Sequence, residues 1–228
     1  MRIGEKVPDF SVVHSLKNKA RWLKANDEAM ARWISNFLSP PVVGGLLAVG
    51  FVVFIAPEPG MLWRWLMLSL PLITLPPLAY VVWLVRRGEL ADIHMPHRQA
   101  RLKPLSVIMT WLLVCTLFLH AKGAPRSLDL FLLATLFQIG LLSLVTLFWQ
   151  ISFHSATISA AAAAAVAVGG TTVWPLTISL LVPLVGWSRV RLRRHTFRQV
   201  TAGCLVGIVV ALLMLVGISP YVFIAEAS

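Results

Sequence analysis

The sequence predicts an all-α, polytopic transmembrane helical bundle of six or seven spans, preceded by an amphipathic N-terminal segment. Composition is the first reason. Apolar residues make up 58% of the 228-residue chain and charged residues 13%, too little polar surface to coat a water-soluble core. The second reason is run length. Crossing hydrocarbon takes roughly 20 apolar residues per helix, and such runs lie at about 37–56, 61–85, 104–121, 128–149, 154–169, 172–187 and 200–224. The third is charge. The net charge is +11, and the cations collect between the apolar runs. That pattern points to cytoplasmic loops and anionic lipid headgroups as partners, not to nucleic acid.

Taken in order, residues 1–35 form a basic segment of their own, ahead of a bundle at 36–228. Phe10, Val13, Leu16, Leu23, Trp33 and Ile34 recur near helical spacing among Lys17, Lys19, Arg21, Lys24 and Arg32. This predicts an amphipathic helix on the inner leaflet, with Trp22 and Trp33 at headgroup level. The polar start argues against a secretory signal peptide. The fifth run, ISAAAAAAVAVGG, is made of side chains small enough to let helix backbones approach, so this span is expected at the centre. The sixth holds Pro175 and Pro183, kinks that lipid tolerates when neighbours satisfy the freed carbonyls. The tryptophans read as an interfacial belt. Cys115 and Cys204 sit inside apolar runs and read as small buried hydrophobes, not as a disulfide or metal pair.

Three polar loops interrupt the runs: RRGELADIHMPHRQARLKP at 86–104, WQISFHSAT at 149–157, and WSRVRLRRHTFRQV at 187–200. Two runs separate each loop from the next, so by parity all three, and the N-terminal segment, share one face of the membrane. Seventeen of the twenty Lys and Arg residues lie in that segment and in the first and third loops; Arg64, Lys122 and Arg126 are the others. The positive-inside rule makes the shared face cytoplasmic, in an integral membrane protein expected at the plasma membrane.

Parity gathers His94, His97, Arg98, Arg101, His154, Arg189 and His195 at this face. Ionisable groups at membrane depth are functional candidates. Arginine presents a planar fork of donors that matches phosphate. Histidine serves as nucleophile or proton donor near neutral pH. Arginines with two histidines and few carboxylates therefore suit phosphoryl transfer through a phosphohistidine. No pair of histidines at metal-binding spacing has a carboxylate partner, so no cofactor and no metal are expected. His94, His97, His14 and His120 read as solvated.

At these residues the chain resembles the type 2 phosphatidic acid phosphatases. SRVRLRRHTFRQVTAG is similar to that family's third motif, S-R-x5-H-x3-D, with Ser188, Arg189 and His195 at matching positions. ISFHSATISAAAA is similar to its second motif, P-S-G-H, with Ser152 and His154 matching and Ile151 and Phe153 replacing proline and glycine. The first motif, K-x6-R-P, is met loosely by HRQARLKP, which offers Arg98, Arg101, Lys103 and Pro104; Pro96 stands where the family has lysine. The resemblance covers about residues 86–207. It implies a metal-independent helical bundle that hydrolyses a terminal phosphate or diphosphate of a lipid. In it His195 attacks phosphorus and His154 protonates the leaving oxygen. Ser152, Arg189, Arg98, Arg101 and Lys103 hold the phosphoryl oxygens. Arg191, Arg193, Arg194 and Arg198 are read as headgroup contacts or topology anchors.

The departure that matters is Gln199, where the family has aspartate. Four residues after His195 on a helix, it shares a face with it. Its amide oxygen is able to orient the imidazole but brings no negative charge. Asp92 or Glu89 of the first loop replaces that charge, or the protein is a slow enzyme or none. The sequence thus leaves two functions standing: a phosphatase for a polyprenyl phosphate or diphosphate, or for phosphatidic acid, and a non-catalytic lipid-phosphate binder or transporter on the same bundle. For the phosphatase, the histidine pair predicts a bell-shaped rate around neutral pH.

Overall fold

Each apolar run of the sequence coincides with a helix where its residues are described, and Phe10–Phe37 of the basic N-terminal stretch form one more. A computed structural model describes residues 10–55, 58–91, 98–170 and 172–225. Its eight helices are α1 (Phe10–Phe37), α2 (Pro40–Ile55), α3 (Pro59–Arg86), α4 (Arg98–Ala121), α5 (Arg126–Phe148), α6 (Phe153–Gly169), α7 (Val173–Arg191) and α8 (Phe197–Ala225). The described residues contain no strand. The protein is an all-α, multi-pass membrane bundle. Five helices, α3, α4, α5, α7 and α8, are long and apolar enough to cross a bilayer singly. The pair α1 and α2, bent by 43° at the break before Pro40, makes a sixth candidate crossing. At 17 residues α6 is about 25 Å long, short of the ~30 Å hydrocarbon core.

The shortness of α6 fits its place inside the bundle, packed against α8, α7 and α2. Small residues make this packing possible. On α8, Gly203 and Gly207 are spaced G-x3-G. A Cβ at Gly203 would press on the Ser152 carbonyl, and one at Gly207 on the Ala156 carbonyl and the Ser159 hydroxyl. The two backbones thus touch where side chains would otherwise intervene, and the Ser159 hydroxyl donates across to the Cys204 carbonyl at 3.0 Å. Close approach through small residues joins helices in lipid, where hydrophobic burial gives no help.

One proline inside α3, Pro76, is accommodated by the neighbouring helix. Pro76 has no N–H for the Leu72 carbonyl. Instead Trp111 of α4 donates its indole N–H to that carbonyl at 2.9 Å, and the Cys115 thiol lies 3.7 Å from it. Trp111 is therefore an interhelical strut, and Trp65 is buried. These two depart from the interfacial belt expected of every tryptophan, because an indole N–H or a large ring is needed inside. Both cysteines are free thiols.

The ends of the helices sort onto two faces. The Arg64 guanidinium donates to the Lys122 carbonyl at 3.2 Å, joining the α3 start to the α4–α5 turn. At the other face lie the end of α1, the α5–α6 turn and the α7–α8 turn, held together by contacts among Ser35, His154 and Arg189.

Candidate functional site

The α7–α8 turn is built by its own backbone. After Arg191 the chain reverses in a Schellman arrangement: the Arg193 N–H bonds the Val190 carbonyl at 2.9 Å, and the Arg194 N–H bonds the Arg189 carbonyl at 3.0 Å. The residue between needs a left-handed backbone. Glycine fills that place after α3 (Gly88) and α4 (Gly123), but here it is Arg193, with φ 54°. The reversal sends the His195 N–H back to the Arg189 carbonyl at 3.3 Å, so two motif residues six apart become neighbours.

The start of α8 then fixes the imidazole. Thr196 and Gln199 form a capping box: the Gln199 amide oxygen accepts the Thr196 N–H at 3.0 Å, and the Thr196 hydroxyl accepts the Gln199 N–H at 3.4 Å. Because a backbone N–H only donates, the box identifies which end of the amide is oxygen. That oxygen lies 3.3 Å from Nδ1 of His195. An oxygen only accepts there, so Nδ1 carries the hydrogen and Nε2 keeps its lone pair.

The start of α6 meets this turn directly, the Ser152 N–H donating to the Gln199 carbonyl at 3.3 Å. Ser152 caps α6, its hydroxyl accepting from the Ser155 N–H at 3.3 Å and the Ser155 hydroxyl at 2.9 Å. Two residues on, His154 directs Nε2 at the Ser35 carbonyl, 3.2 Å away. The N-termini of α6 and α8, each the positive end of a helix dipole, thus meet at the Ser152–Gln199 contact.

The electrostatics are strongly cationic. Arg101, Ser152, His154, Arg189 and His195 are all buried. Burial, then the positive charges of Arg189 and Arg101, push the His195 imidazole down from 6.5 to about 3; the Gln199 contact opposes this and Arg194 adds to it. His195 is therefore neutral at any physiological pH. The arrangement holds a neutral, oriented nitrogen base among guanidinium groups, which is chemistry for an oxyanion.

The structure thus brings together Arg101, Ser152, His154, Arg189, His195 and Gln199. Lys103 is elsewhere: its ammonium lies 2.6 Å from the Glu89 carboxylate on the exposed surface. The bond to Lys103 holds the Glu89 carboxyl below its usual value, and Arg87 lies 3.9 Å from its other oxygen. Glu89 is thereby committed away from His195. Asp92, His94 and His97 lie outside the described residues, as does the side chain of Arg98, which begins α4. Among the described residues, no three His, Cys, Asp or Glu side chains group to hold a metal.

Two participants were not read from the sequence. Thr196 had a signal, the T-x-x-Q spacing of a capping box. Ser35 had none, being joined to the site only by the fold. Beside the site an open cleft of about 560 Å³ lies between α1 and the α7–α8 turn. Its lining includes Lys24, Arg32, Ser35, Arg189, Arg193 and Arg194. Compared with protein-family models, with curated proteins and with solved structures, the chain finds no match in any of the three.

Proposed function

We propose that this chain is a membrane-integral lipid phosphatase of the type 2 phosphatidic acid phosphatase kind, removing a terminal phosphate or diphosphate from a lipid without a metal. One observation carries the reading: a neutral, buried His195 whose Nδ1 is held on an amide oxygen, leaving Nε2 with its lone pair, under the positive charges of Arg189 and Arg101. Nε2 attacks phosphorus, forming an N–P bond while the bond from phosphorus to the lipid oxygen breaks. The departing oxygen takes its proton from Nδ1 of a doubly protonated His154, whose Nε2–H stays on the Ser35 carbonyl. Water then attacks phosphorus, gives its proton to His154, and releases phosphate and the free imidazole. Arg189, Arg101 and the Ser152 hydroxyl hold the phosphoryl oxygens as charge builds. Arg98, at the start of α4, meets the lipid headgroup before it enters.

The substrate is a polyprenyl phosphate or diphosphate, with phosphatidic acid next, reaching the site from the cytoplasmic leaflet of the plasma membrane. The concentration of cations at the site face supports that orientation. One feature favours the second reading, a lipid-phosphate binder or transporter: the neutral amide of Gln199 gives no charge to support a phosphorylated, cationic imidazole. The test is phosphate release by the purified protein in detergent with EDTA, from phosphatidic acid, farnesyl diphosphate and a long polyprenyl diphosphate. Release that vanishes in His195→Ala supports the enzyme. Tight lipid-phosphate binding without release supports the binder.

A further inference from the structure

Ser35 lies in the last turn of α1 and is 1% exposed. Its hydroxyl accepts from Nη1 of Arg189. Its carbonyl accepts from Nε2 of His154 at 3.2 Å. One residue of the N-terminal helix therefore links a histidine that heads α6 to an arginine that ends α7.

The sequence explains why that carbonyl is available. In a continuing helix it would take the N–H of Ser39. Pro40 and Pro41 follow, and neither has an N–H. The chain tightens at the break: the Leu38 N–H goes to the Ile34 carbonyl at 2.9 Å and the Ser39 N–H to the Asn36 carbonyl at 3.3 Å. The Ser35 carbonyl is skipped, and a helix-terminal carbonyl in a buried place needs a partner from elsewhere. His154 supplies it. Since a carbonyl only accepts, Nε2 of His154 carries the hydrogen.

The turn that holds Ser35 is itself fastened. Ala31, one turn earlier, is fully buried on the same face. From the far side Arg191 reaches Asp27 and Glu28 at 3.6 Å each and donates to the Lys24 carbonyl at 3.2 Å. Ser35 and Arg189 also line the same cationic cleft, so an oxyanion entering it meets Arg189 with Ser35 already at its side.

We propose that Ser35 is a positioning residue of the phosphate site, its hydroxyl setting the Arg189 guanidinium and its carbonyl setting the His154 imidazole, so that the last turn of α1 is part of the site. This rests on the phosphoryl-transfer reading above. It makes the N-terminal helix more than a surface anchor.

The test uses the full chain in detergent with Ser35→Ala, Arg189→Lys and the two combined. Each is read for phosphate release from phosphatidic acid and farnesyl diphosphate, and for orthovanadate binding by thermal shift. Ser35→Ala is expected to lower kcat about tenfold, the scale of one hydrogen bond to a charged group, with KM within about twofold because the contact acts in the transition state. Orthovanadate affinity is expected to fall by a similar factor. The double variant is expected to be no worse than Arg189→Lys alone, as for residues acting through one another. Should Ser35→Ala melt early without oxyanion, Ser35→Cys, nearly the same size and a poor acceptor, reads the same contact.

Full kcat and full orthovanadate affinity in Ser35→Ala overturn the proposal, as do losses that multiply in the double variant. A wild-type protein that binds orthovanadate but releases no phosphate overturns the enzyme reading alone, and Ser35 is then judged on orthovanadate affinity. A wild-type protein that does neither overturns both.

Discussion

Nδ1 of His195 and the amide oxygen of Gln199 lie 3.3 Å apart, and the same oxygen accepts the Thr196 N–H at 3.0 Å. The capping box thus does the orienting that a carboxylate would do, but with no charge. Replacing Gln199 by aspartate keeps an acceptor four residues after His195, suits the first turn of a helix electrostatically, and adds the missing charge. Amide-for-carboxylate exchange behind a catalytic histidine has lowered turnover by about 10⁴ in serine hydrolases. We therefore expect Gln199→Asp to raise kcat at least about tenfold, and Gln199→Leu, which removes the acceptor, to lower it by at least about a hundredfold. Phosphate release measured on both variants checks the pair. Equal rates in Gln199→Leu and wild type would show that the imidazole needs no orienting partner.

The pH profile follows from the charges around His195. A histidine held at about 3 in place of 6.5 stays a neutral base well below neutrality. The acid limb of kcat/KM is accordingly expected near pH 3 to 4, where the pairing of two histidines in the sequence alone had placed it around neutral pH. Stability moves the same way. Between about 3 and 6.5 the unfolded chain binds a proton at this position and the folded chain does not, so stability is full above 6.5 and is lost as pH falls through that window. We expect no acid limb of kcat/KM between pH 7 and about 5, and a smaller acid loss of melting temperature in His195→Phe than in wild type. An acid limb with its midpoint near 6.5 would place His195 outside its cationic, buried setting.

What the sequence showed and what it hid have physical causes. Run length alone located the helices, because spanning hydrocarbon demands continuous apolarity. Parity put the motif loops on one face by counting α6 as a crossing; the structure brings the loops together although α6 is shorter than a full span. Spacing did not separate Arg101, buried beside His195, from Lys103, turned out to Glu89: two residues on one helix turn differ only in what the bundle places against them. Ser35 was illegible, since its partners are 119 and 154 residues away in the chain and serine carries no pattern of its own. The Gly203 and Gly207 pair was legible as G-x3-G, but Gly203 was read only as the tail of the third motif and Gly207 only as part of an apolar run.

That glycine pair makes a sharp prediction about how the motifs are held together. Alanine at Gly207 puts a methyl group into the Ala156 carbonyl and the Ser159 hydroxyl, and a carbonyl inside α6 has little freedom to move aside. We expect Gly207→Ala to destabilise the bundle by about 1–3 kcal/mol, the range for overpacking. Phosphate release should fall further than the stability loss explains, because α6 carries His154 and α8 follows His195. Gly217, on the same helix, has nothing within 4 Å of an added Cβ, so Gly217→Ala should be neutral or mildly stabilising from helix propensity. Equal melting temperatures for the two variants would mean that α6 and α8 do not meet through these glycines.

Arg193 tests the turn itself. Its φ of 54° places a side chain in a left-handed conformation that costs roughly 1–2 kcal/mol for a residue with a Cβ, at the position where α3 and α4 use glycine. Such strain persists when surrounding structure requires it, and here the requirement is the reversal that brings His195 back to Arg189. Arg193→Gly removes the steric strain and the charge together; Arg193→Ala removes the charge and keeps the strain. We therefore expect Arg193→Gly to melt above Arg193→Ala by about 1 kcal/mol of stability, less than the full steric term because glycine also loosens the unfolded chain. Circular-dichroism melts of the two variants in one detergent make the comparison. Indistinguishable melts would mean that the left-handed turn is not under strain. If the charge at Arg193 serves headgroup capture, both variants should raise KM equally, since they lack the same cation.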